Sequence, residues 1–320
     1  MRDRVSGGVR DGAGWARRFF LEPETPFAAI EVRPRSVGMV RAVREKGRRV
    51  LASAAWLELP EGTLALSVSQ PNVARPEVLR DVLRSLLERA GMAAGGRIGL
   101  VLPDPVARVA LVPTAEIKAR GRAELEEMVR FRLRKVVPFD TRDAEVACLF
   151  PEGSATMALV AAVFRPVLAG YEEACRALDL HPGLVELAGL TLLGDRKAGG
   201  PGDHLLVNWD DGYVTLILAR DGWPLLVRTL VGEPVSSPDD VGREVANTAL
   251  YYRDRLGGTG IVSAAVRSGL LPPEEALAVI GGALGLEARL LEPSQGLAGG
   301  PWASTQAVAG AAACVLREAA

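Results

Sequence analysis

The sequence predicts a two-lobed α/β protein built by duplication, and two observations carry that expectation. The stretches 29–43 and 205–218 each read as an alternating, half-apolar strand, a short polar turn and a second alternating strand. Each is followed by a further turn signal, Glu45-Lys46-Gly47 and Arg220-Asp221-Gly222, which adds a third strand and makes two similar meanders about half a chain apart. A hydrophobic content of 48% over 320 residues is enough to bury cores of the size two such lobes need.

The elements follow in order. Residues 1–24 are rich in Arg and Gly and read as a flexible extension before the first strand. Within them the cluster Arg17-Arg18-Phe19-Phe20-Leu21 would also suit an anionic membrane surface. Residues 76–90 form a helix: Pro76 suits the first turn, and Val78, Leu79, Val82, Leu83, Leu86 and Leu87 make one apolar stripe that ends at Gly91. A strand follows at 99–103, then a helix over 123–135 with Leu125, Met128, Val129 and Leu133 inward. A strand at 158–164 leads to a helix over 166–178 and a short apolar segment at 184–187, which is β-α-β traffic and not a bundle. In the second half, Ser237-Pro238-Asp239-Asp240 supplies an N-cap, a first-turn proline and acids that suit the helix dipole. Strands at 261–266 and 288–291 then alternate with helices at 273–284 and 304–316.

Several function classes are excluded by composition and spacing. A net charge of −1 implies no polyanion partner, and Arg130, Arg132, Arg134 and Lys135 do not share one helix face, so nucleic acid is not expected. Cys148, Cys175 and Cys314 are far apart in apolar runs and read as buried thiols, and two histidines cannot build a metal cage. The longest apolar runs fall well short of the ~20 residues that span a bilayer, and no signal-peptide segment opens the chain, so a cytoplasmic protein is expected. Asp210-Asp211-Gly212 reads as a hairpin turn and not a paired-carboxylate site. The glycines of 91–96 end a helix and do not form a P-loop, while His204 has no nucleophile elbow to serve.

The order of these elements resembles the actin-like pilus-assembly proteins of the PilM type and their relatives, the cytoplasmic domains of the general secretion L proteins. The blocks that carry the likeness are Ala29-Ile30-Glu31-Val32 with Ser36-Val37, the helix from Gly121 that ends in Val137-Pro138-Phe139, Ala158 through Leu187, Val207 to Leu218 with Arg228, and Glu244 to Tyr252. It implies an actin-like, ribonuclease H-like duplicated α/β fold with an α+β subdomain inserted in the first lobe. By that likeness the first lobe is 25–97 with 151–198, the insert is 98–150, and the second lobe is 203–320 with a reduced or missing cap, since only a short connection precedes the helix around Glu244.

In actin-like ATPases each hairpin reads Asp-x-Gly before small hydroxyl residues, because a glycine turn lets backbone N–H groups approach phosphate while the aspartate organises Mg²⁺. Here Glu31 stands for the aspartate and Arg33 for the glycine. The second hairpin has Asn208, Trp209 and Asp210, with Thr215 in place, and the Gly-Gly beside adenosine is Arg267-Ser268-Gly269. The resemblance thus implies a degenerate nucleotide cleft at Glu31, Ser36, Asn208, Thr215 and Gly269, with no catalytic residues and no metal site. It implies a scaffold at the inner face of the inner membrane that binds the N-terminal peptide of a single-pass, PilN-like partner and reaches the membrane through it, with self-association as a further implied contact. No cofactor is expected; the alternative is a nucleotide-switched PilM-like ATPase that keeps ATP and Mg²⁺ through Glu31, Ser36, Thr215 and Gly269.

Overall fold

The computed structural model describes residues 25–92, 95–117, 121–151, 155–195, 201–291 and 302–317; the expected extension 1–24 lies outside them. The first meander is β1 (Ala28–Val32), β2 (Ser36–Glu45) and β3 (Arg48–Glu58), followed by α1 (Pro76–Arg89) and β4 (Gly96–Leu102). Then come β5 (Ala107–Pro113), α2 (Arg122–Leu133), β6 (Ala144–Leu149), β7 (Met157–Phe164), α3 (Arg165–Arg176), β8 (Leu180–Leu187) and α4 (Ala188–Asp195). The second half holds β9 (Asp203–Asp210), β10 (Tyr213–Arg220), β11 (Trp223–Val231), α5 (Pro238–Arg255), β12 (Ile261–Ser268), α6 (Pro273–Leu284), β13 (Ala288–Leu290), α7 (Trp302–Ala307) and α8 (Ala309–Leu316).

The duplication is visible in the topology. One five-stranded sheet has the order β3-β2-β1-β4-β8 and the other β11-β10-β9-β12-β13, so each meander is extended on one side by two parallel strands. Both second turns put two consecutive residues at positive φ, Lys46 and Gly47 at 48° and 83°, and Asp221 and Gly222 at 51° and 78°. That backbone matches the twist of a tight hairpin, which is why the two turn signals resemble each other. The buried faces of α1 and α3 pack Leu79, Leu83, Leu86, Val167 and Tyr171 against Ile30, Val32, Met39 and Leu100 of the first sheet. In the second lobe Val241 and Val245 of α5 and Ile280 of α6 cover Val207, Trp209, Val214 and Val266. Ser237 caps α5 as its sequence anticipates, its side chain accepting from the amide of Asp240.

Two helices cross between the lobes. Leu192 of α4 packs with Leu206, Ile217 and Ala265 of the second sheet, while α8, the last described helix, lies on Ala29, Val40 and Val101 of the first. The small residues of the run 309–313 allow this close approach, and Gly38 and Gly99 receive it: a Cβ at Gly38 would sit 2.3 Å from the Ala307 carbonyl oxygen, and one at Gly99 2.6 Å from Cys314 Sγ.

The third sheet differs from expectation. Its order is β5-β7-β6, all antiparallel, with a core of Leu125, Val129 and Leu133 from α2 against Val112, Cys148, Val160 and Ala162. The inserted strands therefore run from Ala107 to Phe164, later at both ends than 98–150, because Ile98–Leu102 belongs to β4 and β7 pairs with β5 and β6. Alternation marks a strand without saying which sheet it joins. The expected helix over 304–316 is broken at Val308 into α7 and α8. All three cysteines are buried, and burial pushes the thiols of Cys148 and Cys175 up to about 12, so they are inert. Arg130 donates to the Ala144 carbonyl at 2.7 Å and Arg132 pairs with Glu116 at 3.0 Å. No helix among the described residues is long and apolar enough to cross a membrane.

Candidate functional site: a buried ion network between the lobes

The ends of β1 and β9 meet in the cleft between the lobes, and the alternation of each strand decides what they present there. On β1, Ile30 and Val32 face the α1 core, so Ala29 and Glu31 face α8. On β9, Leu205, Val207 and Trp209 face the α5 core, leaving Asn208 and Asp210 on the cleft side; on β12, Ala264 and Val266 face the same core and Arg267 the cleft.

Glu31 is fully buried and its carboxylate accepts three hydrogen bonds. Oε2 accepts from the amides of Gly310 and Ala311 at 2.7 and 3.1 Å, at the start of α8 where the helix dipole favours an anion. Oε1 accepts from Arg267 Nη2 at 2.6 Å. Gly310 is needed there, since a Cβ would lie 2.9 Å from all three carboxyl atoms. Arg267 is also 0% exposed; its Nη1 donates to Asn208 Oδ1 at 2.9 Å and sits 3.4 Å from Asp210 Oδ2, and its remaining donors reach the Gln306 carbonyl.

Arg33 completes the set from the opposite direction. Leaving the turn after β1, it holds Asp210 with two parallel bonds, Nε to Oδ2 at 2.8 Å and Nη2 to Oδ1 at 3.0 Å, and Nη2 also donates to the Gly269 carbonyl at 2.9 Å. Each lobe therefore supplies one guanidinium and one carboxylate to the other: Arg33 and Glu31 from the first, Asp210 and Arg267 from the second. The four charges sum to zero inside the protein, the condition under which buried ions are tolerated. Burial alone would push the Asp210 carboxyl up; the charges of Arg33 and Arg267 and the bonds from Arg33 outweigh it and hold the group below the usual carboxylate range. For Arg33, likewise, burial works against the charge and Asp210 more than restores it, so its pKa rises.

A fifth ionisable group, Asp104, follows β4. Its Oδ1 accepts from the Gly189 amide and its Oδ2 from Asn208 Nδ2, both at 2.8 Å, so the Asn208 amide bridges Asp104 to Arg267. Asp104 is buried, and desolvation raises its pKa despite those bonds and one from Thr215.

Of the five residues expected at a nucleotide cleft, Glu31 and Asn208 are joined through Arg267, and Gly269 meets Arg33 through its carbonyl. Thr215 lies one layer behind, by Asp104, with its hydroxyl 3.1 Å from that of Thr229. Ser36 is outside the network and lines a pocket of about 420 Å³ at the mouth, together with Arg33, Arg35, Trp56, Glu58 and Gly269. Asp104, Gln306 and Gly310 were not expected there. The order β3-β2-β1-β4-β8, repeated, with crossing helices and a charged interlobe cleft, is the actin-like fold.

Comparisons with known proteins agree on that fold. No protein-family model and no curated protein matches the chain. Among solved structures it is similar to the PilM-PilN type IV pilus biogenesis complex, with a TM-score of 0.69 and 20% identity over 90% of this chain and 96% of that one. It is also similar to a protein of unknown function with an actin-like ATPase fold from Bacteroides thetaiotaomicron, with a TM-score of 0.55 and 8% identity, over 90% and 97% of the two chains.

Proposed function

We propose that this chain is a cytoplasmic actin-like scaffold of a type IV pilus or related secretion platform, that it binds the N-terminal peptide of a single-pass inner-membrane partner, and that it works without nucleotide. The likeness to the PilM-PilN complex over nearly the whole chain supports the class of assembly and the kind of partner.

The observation that carries nucleotide independence is the reciprocal pairing of Arg33 with Asp210 and of Arg267 with Glu31. A magnesium nucleotide needs free backbone amides and cations around its phosphates and carboxylates free to organise the metal. Here both guanidiniums are already neutralised by carboxylates, and those carboxylates would face the phosphates. The space beside Gly269 is taken as well, with Arg33 Nη2 1.9 Å from where a Cβ would sit. These residues do not fit the group, so no hydrolytic step is assigned. The lobes are instead held together by the chain's own ions, which is the service a bound nucleotide would otherwise render.

The test is fluorescence anisotropy with a labelled peptide from the cytoplasmic N-terminus of the partner. Equal affinity with and without ATP and Mg²⁺ is expected. Binding that appears only with ATP would replace this reading by the nucleotide-switched one.

A further inference from the structure

The end of the first lobe remote from the cleft carries a charge pattern that the scaffold reading leaves unused. β2 runs from Ser36 beside the cleft to Glu45, so the β2–β3 turn stands a full strand length away. Between Arg41 and Arg49 lie five cations, Arg41, Arg44, Lys46, Arg48 and Arg49, and a single acid, Glu45, in a chain whose net charge is −1. Arg41, Arg44, Lys46 and Arg48 are exposed, and none has an ion pair among the described residues.

The register makes the arrangement costly. Arg44 stands directly opposite Arg49 across the two strands, a like-charge placement that destabilises a hairpin, and only Glu45, opposite Arg48, offsets it. Arg49 is held in place by the carbonyls of Thr25, Pro26 and Val315 and stacks over the Phe27 ring at 4.2 Å, and burial followed by the charge of Arg44 lowers its pKa. Arg97, at the start of β4 and hence at the same end of the sheet, is exposed too. The Thr25 carbonyl held by Arg49 places the first described residue beside this turn.

From this juxtaposition we infer that the β2–β3 turn and its neighbouring strand starts form a surface that docks directly on an anionic phospholipid bilayer. Exposed cations on a projecting turn, with the exposed Phe27 ring under Arg49 beside them, match a plane of negative headgroups. The interlobe cleft lies at the opposite end of β2 from that plane. The inference does not depend on the cleft being free of nucleotide.

The test is co-sedimentation of the full chain with vesicles of equal phosphatidylglycerol and phosphatidylcholine, against pure phosphatidylcholine, at 50 and 500 mM salt. Binding to the anionic vesicles only, lost at high salt, is expected. Each cation near an anionic leaflet contributes a factor of about five, so the triple variant Arg44→Ala, Lys46→Ala, Arg48→Ala should weaken binding about a hundredfold. The matched variant Arg243→Ala, Arg253→Ala, Arg255→Ala, which removes equal charge from exposed positions of α5, should leave it unchanged. The salt dependence of the unaltered chain keeps the test valid if the first variant folds poorly. No sedimentation with the anionic vesicles, equal loss in both variants, or equally tight binding to a single-stranded oligonucleotide would each overturn the inference.

Discussion

Removing Asp210 should cost far more than removing Asp210 together with Arg33. In Asp210→Ala the guanidinium of Arg33, only 6% exposed, keeps the Gly269 carbonyl as its sole acceptor, and the four-ion set acquires a net charge of +1. Breaking a buried pair by deleting one partner typically costs about 3–5 kcal/mol, so Arg33→Ala, which strands Asp210 with Arg267 at 3.4 Å, belongs in the same range. The double variant removes a neutral unit and leaves Glu31 with Arg267, and its loss should be about 1–3 kcal/mol. The singles thus sum to about 6–10 kcal/mol, and the double falls short of that sum by roughly 3 kcal/mol or more. Urea unfolding followed by tryptophan fluorescence and far-UV circular dichroism measures all three, with coincidence of the two probes checking two-state behaviour. Additivity within about 0.5 kcal/mol would refute the reasoning, because residues that do not share a charge balance add.

Other predictions follow from the same geometry. Gly269→Ala should push Arg33 off Asp210, with a Cβ 1.9 Å from Nη2, and cost about 2–4 kcal/mol by urea unfolding, much of which Arg33→Ala should absorb in the double variant. Asn208→Ala leaves Asp104 and Arg267 each short of a partner inside the protein, and a loss of about 2–4 kcal/mol is expected in the same assay. Stability should depend on pH with two opposite signs. Asp210 lies below the usual carboxylate range, so its contribution is present above about pH 4 and is lost as pH falls through its folded value. Asp104 lies above that range, so acidification from neutrality toward about pH 4 first stabilises the fold. Unfolding free energy should therefore peak on the acid side of neutral, and Asp104→Asn should remove the rise while keeping the fall.

Much of this architecture was legible before the fold was known, for identifiable reasons. Turn chemistry is local, so Lys46-Gly47 and Asp221-Gly222 marked both meanders, and Ser237-Pro238 marked the start of α5 to the residue. The substituted positions of the cleft could be placed because they follow strands of recognisable pattern. What those substitutions do together could not be read. Arg33 and Arg267 appear singly as losses of glycine, and only the pairing of residues 33 with 210 and 31 with 267 turns them into a neutral set. Asp104 was missed because an Asp-Pro after a strand reads as a turn, and nothing in its spacing points to Asn208, 104 positions away. Gly310 reads as one more small residue in an Ala-rich run until Glu31 is seen beneath it. The third sheet was misplaced for a related reason: alternation fixes which side of β7 is apolar, and partner choice depends on contacts far away in sequence.

We propose that the cleft is closed by the chain's own ions and takes no nucleotide. Calorimetric titration of the purified protein with ATP and Mg²⁺ at millimolar concentration tests it most directly, with Asn208→Asp, Asp210→Gly as a companion that restores the residues of an intact phosphate turn but strands Arg33. No saturable heat is expected from the unaltered chain, and a loss of stability, without gain of micromolar binding, is expected in the companion. Saturable micromolar binding by the unaltered chain would contradict it, since the nucleotide would then have to displace both guanidiniums from their carboxylates.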